Sequence, residues 1–104
     1  MENSEALNRQ QLVQQMAERV DGLSQKLAAA ALQAALDAIS DALVAGQSVQ
    51  LSSFGTFNRR YRRSRVNQHP RTRLPVVVPG AWMAVFAPST QLRRRLQEVP
   101  EPPA

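Results

Sequence analysis

Seven arginines lie within residues 59–73, and this cluster constrains the fold more than any other feature of the sequence. The arginines occupy both odd and even positions, so a β-strand here would be charged on both faces and could bury neither of them. No carboxylate lies between Asp41 and Glu98, so no acidic neighbour in sequence can pair with these guanidinium groups. The segment is therefore predicted to project from the protein body and to bind a polyanion.

The two halves of the chain have opposite net charges. Residues 1–50 contain three basic and six acidic side chains, a net charge of −3, whereas residues 51–104 contain ten arginines and two glutamates, a net charge of +8. Twelve of the thirteen basic residues are arginine, whose planar guanidinium suits phosphate and a narrow minor groove. The alternative is a solvated basic hairpin that serves only solubility.

A chain of 104 residues has room for one domain, which is predicted at residues 8–97. Residues 1–7 are expected to be a flexible segment, and the proline-rich residues 98–104 a disordered tail. Because a projecting arm removes residues from an already small core, the chain is predicted to form a dimer.

The sequence offers no catalytic or metal-binding constellation. It has no cysteine, and His69 is its single histidine, so neither a thiolate zinc site nor a histidine-rich one can form within a chain. Asp37 and Asp41 lie one helical turn apart, but with no nucleophile or glycine-rich loop nearby they are interpreted as a solvated helix face. We expect no enzyme activity, no metal, no cofactor and no small-molecule substrate.

Nothing in the sequence is interpreted as a membrane segment. Residues 1–5 are acidic rather than basic, and no stretch is judged long and apolar enough to cross a bilayer. We therefore expect a soluble, cytoplasmic protein without a membrane partner.

The first half of the chain has helical periodicity. Asn8 and Gln11 form a capping-box pattern, which predicts a helix over about residues 9–21. Ser24 is a suitable N-cap for a second helix of about twenty residues, which Gly46 ends. The two are predicted to form a helical hairpin. The apolar row of the second helix consists of Leu32, Leu36, Ile39 and Leu43.

The second half changes to strand-like spacing. Strands are predicted at residues 49–51, 54–57 and 82–86, and a two-stranded arm at about 59–78 with its turn at 67–72. Pro88 and Ser89 open a final short helix that carries Arg93, Arg94 and Arg95. The element order is α-α-β-β-β-α, and the predicted fold class is α+β.

Pro70 lies at the predicted tip of the arm, near Arg65, Arg71 and Arg73. Its rigid apolar ring has two interpretations: it only shapes the turn, or it is a wedge that unstacks a base step and kinks a duplex. A two-stranded ribbon suits a nucleic-acid groove, whereas membrane attachment commonly uses an amphipathic helix.

Residues 46–57, which read Gly-Gln-Ser-Val-Gln-Leu-Ser-Ser-Phe-Gly-Thr-Phe, resemble the helix-to-sheet passage of the HU/integration host factor family. The resemblance extends over about residues 8–97. It implies an intertwined dimer with a helical-hairpin base, a three-stranded antiparallel sheet that forms a saddle, extended β-arms and a short C-terminal helix. It also implies non-catalytic binding and bending of double-stranded DNA through the minor groove, with low sequence specificity, in the bacterial nucleoid. The dimer would be a homodimer or a heterodimer with a paralogue.

The resemblance assigns roles to individual residues. Pro70 matches the intercalating proline, and Arg60, Arg62 and Arg65 match basic arm positions. The DNA-binding residues expected from charge pattern and resemblance together are Arg9, Arg59, Arg60, Arg62, Arg63, Arg65, His69, Pro70, Arg71, Arg73 and Arg93. The dimer core is expected to contain Phe54, Phe57, Phe86, Leu36 and Ile39.

The tip departs from the family pattern, because residues 68–73 read Gln-His-Pro-Arg-Thr-Arg where the family has Arg-Asn-Pro-Gln-Thr-Gly. Arg73 replaces the glycine, which changes the hairpin if that glycine has a positive φ. Trp82 stands where a lysine is common, and both packing and stacking on DNA are open for it. Two other functions are open as well: binding of RNA or structured nucleic acid, and an interaction module whose basic arms bind an acidic protein.

Overall fold

The computed structural model describes residues 5–103, which form two compact units, one ending at Asp41 and one beginning at Ala42. The elements of the described chain are α1 (Arg9–Arg19), α2 (Gln25–Val44), β1 (Val49–Leu51), β2 (Gly55–Arg62), β3 (Arg65–Gln68), β4 (Pro75–Val78), β5 (Ala81–Pro88) and α3 (Thr90–Gln97). The α+β class is confirmed.

The first unit is a pair of helices whose starts are fixed by side-chain caps. The Asn8 carboxamide accepts from the Gln11 backbone N–H at 2.8 Å, and the Gln11 side chain accepts from the Asn8 N–H at 3.0 Å, which confirms the capping box. Ser24 Oγ accepts from the Leu27 N–H at 3.0 Å and caps α2. Val13 on α1 and Ala28 on α2 are buried.

The second helix ends in a hydrogen-bonded turn around Gly46. Gly46 has a φ of 88°, its N–H donates to the Leu43 carbonyl at 3.1 Å, and the Gln47 N–H donates to the Ala42 carbonyl at 2.8 Å. These two bonds satisfy carbonyls that the helix end leaves open, and only glycine adopts this φ without steric cost. The predicted stop at Gly46 is confirmed.

The expectation that no stretch is long and apolar enough to cross a membrane is wrong by length and composition. α2 has 20 residues and a mean hydropathy of 1.5, because its alanines and leucines outweigh Asp37 and Asp41. Little of it is buried in the single chain. One such helix does not establish a membrane span, since the core helix of a soluble protein has the same composition.

The second unit contains a three-stranded antiparallel sheet in the order β1-β2-β5. Phe57 pairs with Val49 on one side and Phe86 on the other. Gly55 is buried, and a Cβ atom at this position would lie 2.5 Å from Phe86 Cε1 and 2.6 Å from the Ala87 carbonyl oxygen. The glycine of the Phe-Gly-x-Phe motif is therefore required for the close approach of Phe86.

The arm is a separate two-stranded ribbon of β3 and β4, paired from Arg65↔Val78 to Gln68↔Pro75. The predicted start at residue 59 is wrong, because β2 stays paired with β5 as far as Arg62↔Ala81. The ladder is interrupted at residues 63–64 and 79–80, where Pro79 has no backbone N–H to donate.

The last helix begins at a cap and is followed by an exposed tail. Ser89 Oγ accepts from the Leu92 N–H at 3.1 Å, which confirms the predicted start of α3. Residues 98–103 are exposed and belong to no helix or strand. Of the terminal segments predicted to be flexible or disordered, residues 1–4 and Ala104 lie outside the described residues.

The described chain has almost no apolar core of its own. Val13 and Ala28 are its buried hydrophobic residues, whereas Phe54, Phe86 and Leu36 are 47%, 40% and 37% exposed. Exposed apolar side chains in such number are typical of a subunit surface that another chain covers.

Candidate nucleic-acid interface

The three-stranded sheet has two chemically different faces. Residues directly opposite in an antiparallel pair point to the same side, and successive residues alternate. One face therefore carries the rings of Phe57, Phe86, Tyr61 and Trp82 together with Arg59. The other carries Thr56, Asn58, Arg60 and Arg62, opposite Ala87, Val85, Met83 and Ala81. We name them the aromatic face and the polar face.

Arg59 lies on the aromatic face and is engaged within the chain. Its Nη1 donates to the Val44 carbonyl at the end of α2 at 3.0 Å, and its guanidinium carbon lies 4.2 Å from the centre of the Trp82 ring. A cation near a helix C-terminus and over an aromatic ring is stabilised by both. The structure thus separates Arg59 from the neighbouring Arg60, which is exposed on the polar face.

Trp82 packs against Tyr61 in the structure, and packing is one of the two roles that the sequence left open for it. Its ring contacts Tyr61 edge-on with the centroids 5.2 Å apart, and it remains 59% exposed. Tyr61 was not among the residues singled out from the sequence. Its position four residues after Phe57, on the same strand face, was the available signal.

Arg60 and Arg62 lie on the polar face near the end of β2 that leads to the ribbon, Arg60 exposed and Arg62 half-buried. The Arg62 guanidinium donates to the Pro79 carbonyl at 3.5 Å, a long contact, and its Nε is buried with no partner within the described chain. Arg63 lies exposed in the break between β2 and β3, and Arg65 begins the ribbon.

The tip of the ribbon is a compact turn over residues 69–74, two residues later than the predicted 67–72. The His69 N–H donates to the Leu74 carbonyl and the Arg73 N–H donates to the His69 carbonyl, both at 2.9 Å. His69 Nδ1 accepts from the backbone N–H groups of Arg71, at 3.1 Å, and Thr72, at 3.4 Å. β3 and β4 keep their register as far as Gln68↔Pro75, so Asn67 and Gln68 belong to the ribbon and the turn begins at His69 instead of residue 67.

Pro70 is exposed at the apex of this turn, beside the exposed Arg71 and Arg73. Arg73 has a φ of 61°, the left-handed region that costs a non-glycine residue about 1–2 kcal/mol. The turn therefore keeps the positive φ that glycine favours, although arginine occupies the position.

Two of the residues predicted to bind DNA, Arg93 and Arg9, lie outside the arm. Arg93 is exposed on α3, next to Arg94 and Arg95. Arg9 belongs to the helical unit, where its guanidinium donates to the Gln33 side chain at 2.5 Å.

The comparison with known proteins decides the family. Residues 7–97 match the family model described as bacterial DNA-binding protein. The chain belongs to this family. The family match covers the whole of the predicted domain at residues 8–97.

Curated members of the family align along most of this chain. The integration host factor subunit beta of Dechloromonas aromatica is 36% identical and covers 88% of this chain and 98% of its own. The HU-alpha protein of Vibrio proteolyticus is 38% identical over 84% of this chain and 96% of its own. The integration host factor subunit alpha of Maricaulis maris is 44% identical over 72% of this chain and 74% of its own.

Among solved structures, the Anabaena HU protein in a cocrystal with DNA has a TM-score of 0.79 and 30% identity, covering 88% of this chain and 99% of that one. A mutant HU from Thermotoga maritima has a TM-score of 0.63 at 22% identity, covering 86% and 97%, and supports the fold alone. The HU/integration host factor resemblance noted in the sequence is confirmed.

Proposed function

We propose that this chain is a non-catalytic architectural protein that binds and bends double-stranded DNA through the minor groove with low sequence specificity. It would act as a dimer in the nucleoid of the bacterial cytoplasm. The observation that carries the proposal is the ribbon with Pro70 exposed at its apex beside Arg71 and Arg73, in a chain that matches HU over nearly its full length.

The arrangement of charge supports DNA as the ligand. The exposed arginines of the polar face and ribbon have no carboxylate near them in sequence, so phosphates are suitable counter-charges. A two-stranded ribbon narrow enough to follow a groove places Pro70 where it can wedge between base pairs, and the unstacking is offset by the wrapped DNA.

The contacts within the chain divide the predicted DNA-binding residues into two groups. Arg59 and Arg9 donate hydrogen bonds of normal or short length inside the chain, so we assign Arg59 to the stability of the sheet and Arg9 to a peripheral contact at most. Arg62 makes a long contact with the Pro79 carbonyl at 3.5 Å, and His69 bonds to the backbone of its own turn, so both stay in the second group. The residues assigned to DNA are Arg60, Arg62, Arg63, Arg65, His69, Pro70, Arg71, Arg73 and Arg93.

Dimer formation is supported by the exposed apolar surface of the single chain. Phe54 and Phe86 lie 5.2 Å apart and Phe57 and Phe86 4.9 Å apart, yet Phe54 and Phe86 stay 40% exposed or more. Burial of such rings is a large favourable term, so the cluster is suited to a subunit interface together with Leu36 and Ile39. A homodimer and a heterodimer with a paralogue would both bury these rings.

The affinity for duplex DNA measured as a function of salt tests the electrostatic part of the proposal. If about ten phosphates are neutralised per dimer, log K against log salt should have a slope of order −9. A slope near zero would exclude phosphate contacts as the basis of binding.

The wedge is tested separately with Pro70→Ala, with Pro75→Ala as the matched control. Pro75 belongs to β4 and pairs with Gln68 in the last pair of the ladder, below the turn that has Pro70 at its apex. Pro70→Ala should reduce the bend measured by FRET between the duplex ends while most of the electrostatic affinity remains, and Pro75→Ala should keep the bend. An unchanged bend in Pro70→Ala would make Pro70 only a turn residue.

Within the part of the chain that the structure describes, no contact favours RNA or an acidic protein over duplex DNA. Competition between duplex DNA, nicked DNA and duplex RNA distinguishes these ligands, because the deep narrow major groove and shallow minor groove of A-form RNA differ in shape from those of B-DNA.

A further inference from the structure

The hydrogen bonds of the tip determine which nitrogen of His69 carries a proton. Nδ1 accepts from the N–H groups of Arg71 and Thr72, and a backbone N–H can only donate. Nδ1 is therefore unprotonated in this turn, and the neutral ring carries its proton on Nε2. His69 thus keeps one ring donor, Nε2–H, for an external acceptor.

This donor stands next to the wedge. His69 precedes Pro70 in the chain and is exposed, so a base step opened by Pro70 has the imidazole at its edge. In the minor groove, A·T pairs present only acceptors, adenine N3 and thymine O2, whereas G·C pairs add the guanine N2 amino donor. The Nε2–H donor of His69 is complementary to the acceptors of an A·T pair, whereas it faces another donor, the guanine amino group, at a G·C pair.

We infer that His69 reads the minor-groove edge at the kinked step and favours base pairs without an N2 amino group. The inference rests on the proposed function and adds to it a residue that determines specificity. It concerns the pairs that flank the kink, so the rest of the bound duplex remains free of base-specific contacts.

The base pairs at the kink are changed first, and the affinity of the native protein is measured for each duplex. A duplex with a single nick fixes one kink, and its flanking pairs are made A·T, I·C, G·C or 2,6-diaminopurine·T. Inosine lacks the minor-groove amino group of guanine, and diaminopurine adds that group to adenine. The native protein should bind the A·T and I·C duplexes about fivefold more tightly than the other two, the factor for one net hydrogen bond.

His69→Asp separates this reading from the general preference of minor-groove proteins for narrow A·T tracts. A carboxylate at this position can accept from the same backbone N–H groups and keep the turn, but it has no donor and can accept from the guanine amino group. The ratio of affinities should fall to about one or reverse. A uniform loss from repulsion between the carboxylate and the phosphates lowers all four affinities by the same factor and does not affect that ratio. His69→Asn, which keeps both an acceptor and a donor, is the control and should retain the preference.

Amide exchange at Arg71 and Thr72 verifies that the turn persists in both variants. The inference is overturned if the native protein binds all four duplexes equally, or if His69→Asp with an intact turn keeps the native ratio. A protein that binds and bends every duplex without discrimination retains the proposed function and loses only this inference, whereas failure to bind any duplex removes the proposed function itself.

Discussion

The guanidinium of Arg59 stacks on the ring of Trp82, 4.2 Å from its centre, and in the same position donates to the carbonyl of Val44. Arg60, its neighbour in sequence, lies on the opposite face of the sheet. Two adjacent arginines in a basic run therefore have different physical roles, one holding the end of α2 and one facing outward.

This difference predicts opposite effects of two matched substitutions. Arg59→Gln removes an exposed hydrogen bond and a cation–π contact, so the free energy of unfolding should fall by about 1–2 kcal/mol and the Trp82 fluorescence should shift. Arg60→Gln should leave stability within about 0.5 kcal/mol but reduce the salt slope of DNA binding by about 2 per dimer. Denaturation and titration of both variants check this, and the reverse pattern would contradict the assignment.

Gly55→Ala should destabilise the protein through Phe86. The added Cβ would lie 2.5 Å from the Phe86 ring and 2.6 Å from a backbone carbonyl, so the strand or the ring has to move. Overpacking of this kind costs about 1–3 kcal/mol, to be measured by chemical denaturation at fixed protein concentration. Ser52→Ala in the adjoining turn is the control and should change stability little. An unchanged midpoint for Gly55→Ala would show that the sheet yields without cost at this position.

The thermal midpoint should rise with protein concentration. A chain whose described residues bury only Val13 and Ala28 among their hydrophobic side chains gains most of its core by association, so folding and dimerisation are linked. Leu36→Asp on α2 should therefore lower both the midpoint and the sedimentation mass, whereas Asp41→Asn on the same helix should alter neither. A midpoint independent of concentration over about a hundredfold range would contradict the linkage.

Local signals predicted the elements well. The caps at Asn8, Ser24 and Ser89 and the stop at Gly46 each depend on a few adjacent residues, and all four have the expected hydrogen bonds. The three-stranded antiparallel sheet also followed from the family resemblance.

The base of the arm could not be predicted, because it depends on pairing between distant strands. Arg59 and Arg62 belong to the same basic run as Arg65, but only the register with β5 determines that the sheet extends to Arg62. Likewise, the contact of Arg59 with Trp82 joins residues 23 positions apart and leaves no local signal. The charge pattern alone placed all these arginines on one arm, whereas the ladder divides them between the sheet and the ribbon.

The left-handed conformation of Arg73 gives the last prediction. Arg73 has a φ of 61° in the turn that its own N–H closes by donating to His69. Arg73→Gly should relieve the steric cost and slow amide exchange at His69 and Arg73 by about fivefold, the equivalent of about 1 kcal/mol. Because the guanidinium is lost, the salt slope of DNA binding should fall by about 2 per dimer.

Arg73→Lys separates the two effects, since lysine keeps both the charge and the strained φ. Its amide exchange and salt slope should both match those of the native protein. If Arg73→Gly exchanged as fast as the native chain, the turn would not be limited by the conformation of residue 73. If Arg73 contacts phosphate as proposed, that contact comes with a less stable tip, and the paired measurements of exchange and affinity resolve the two effects.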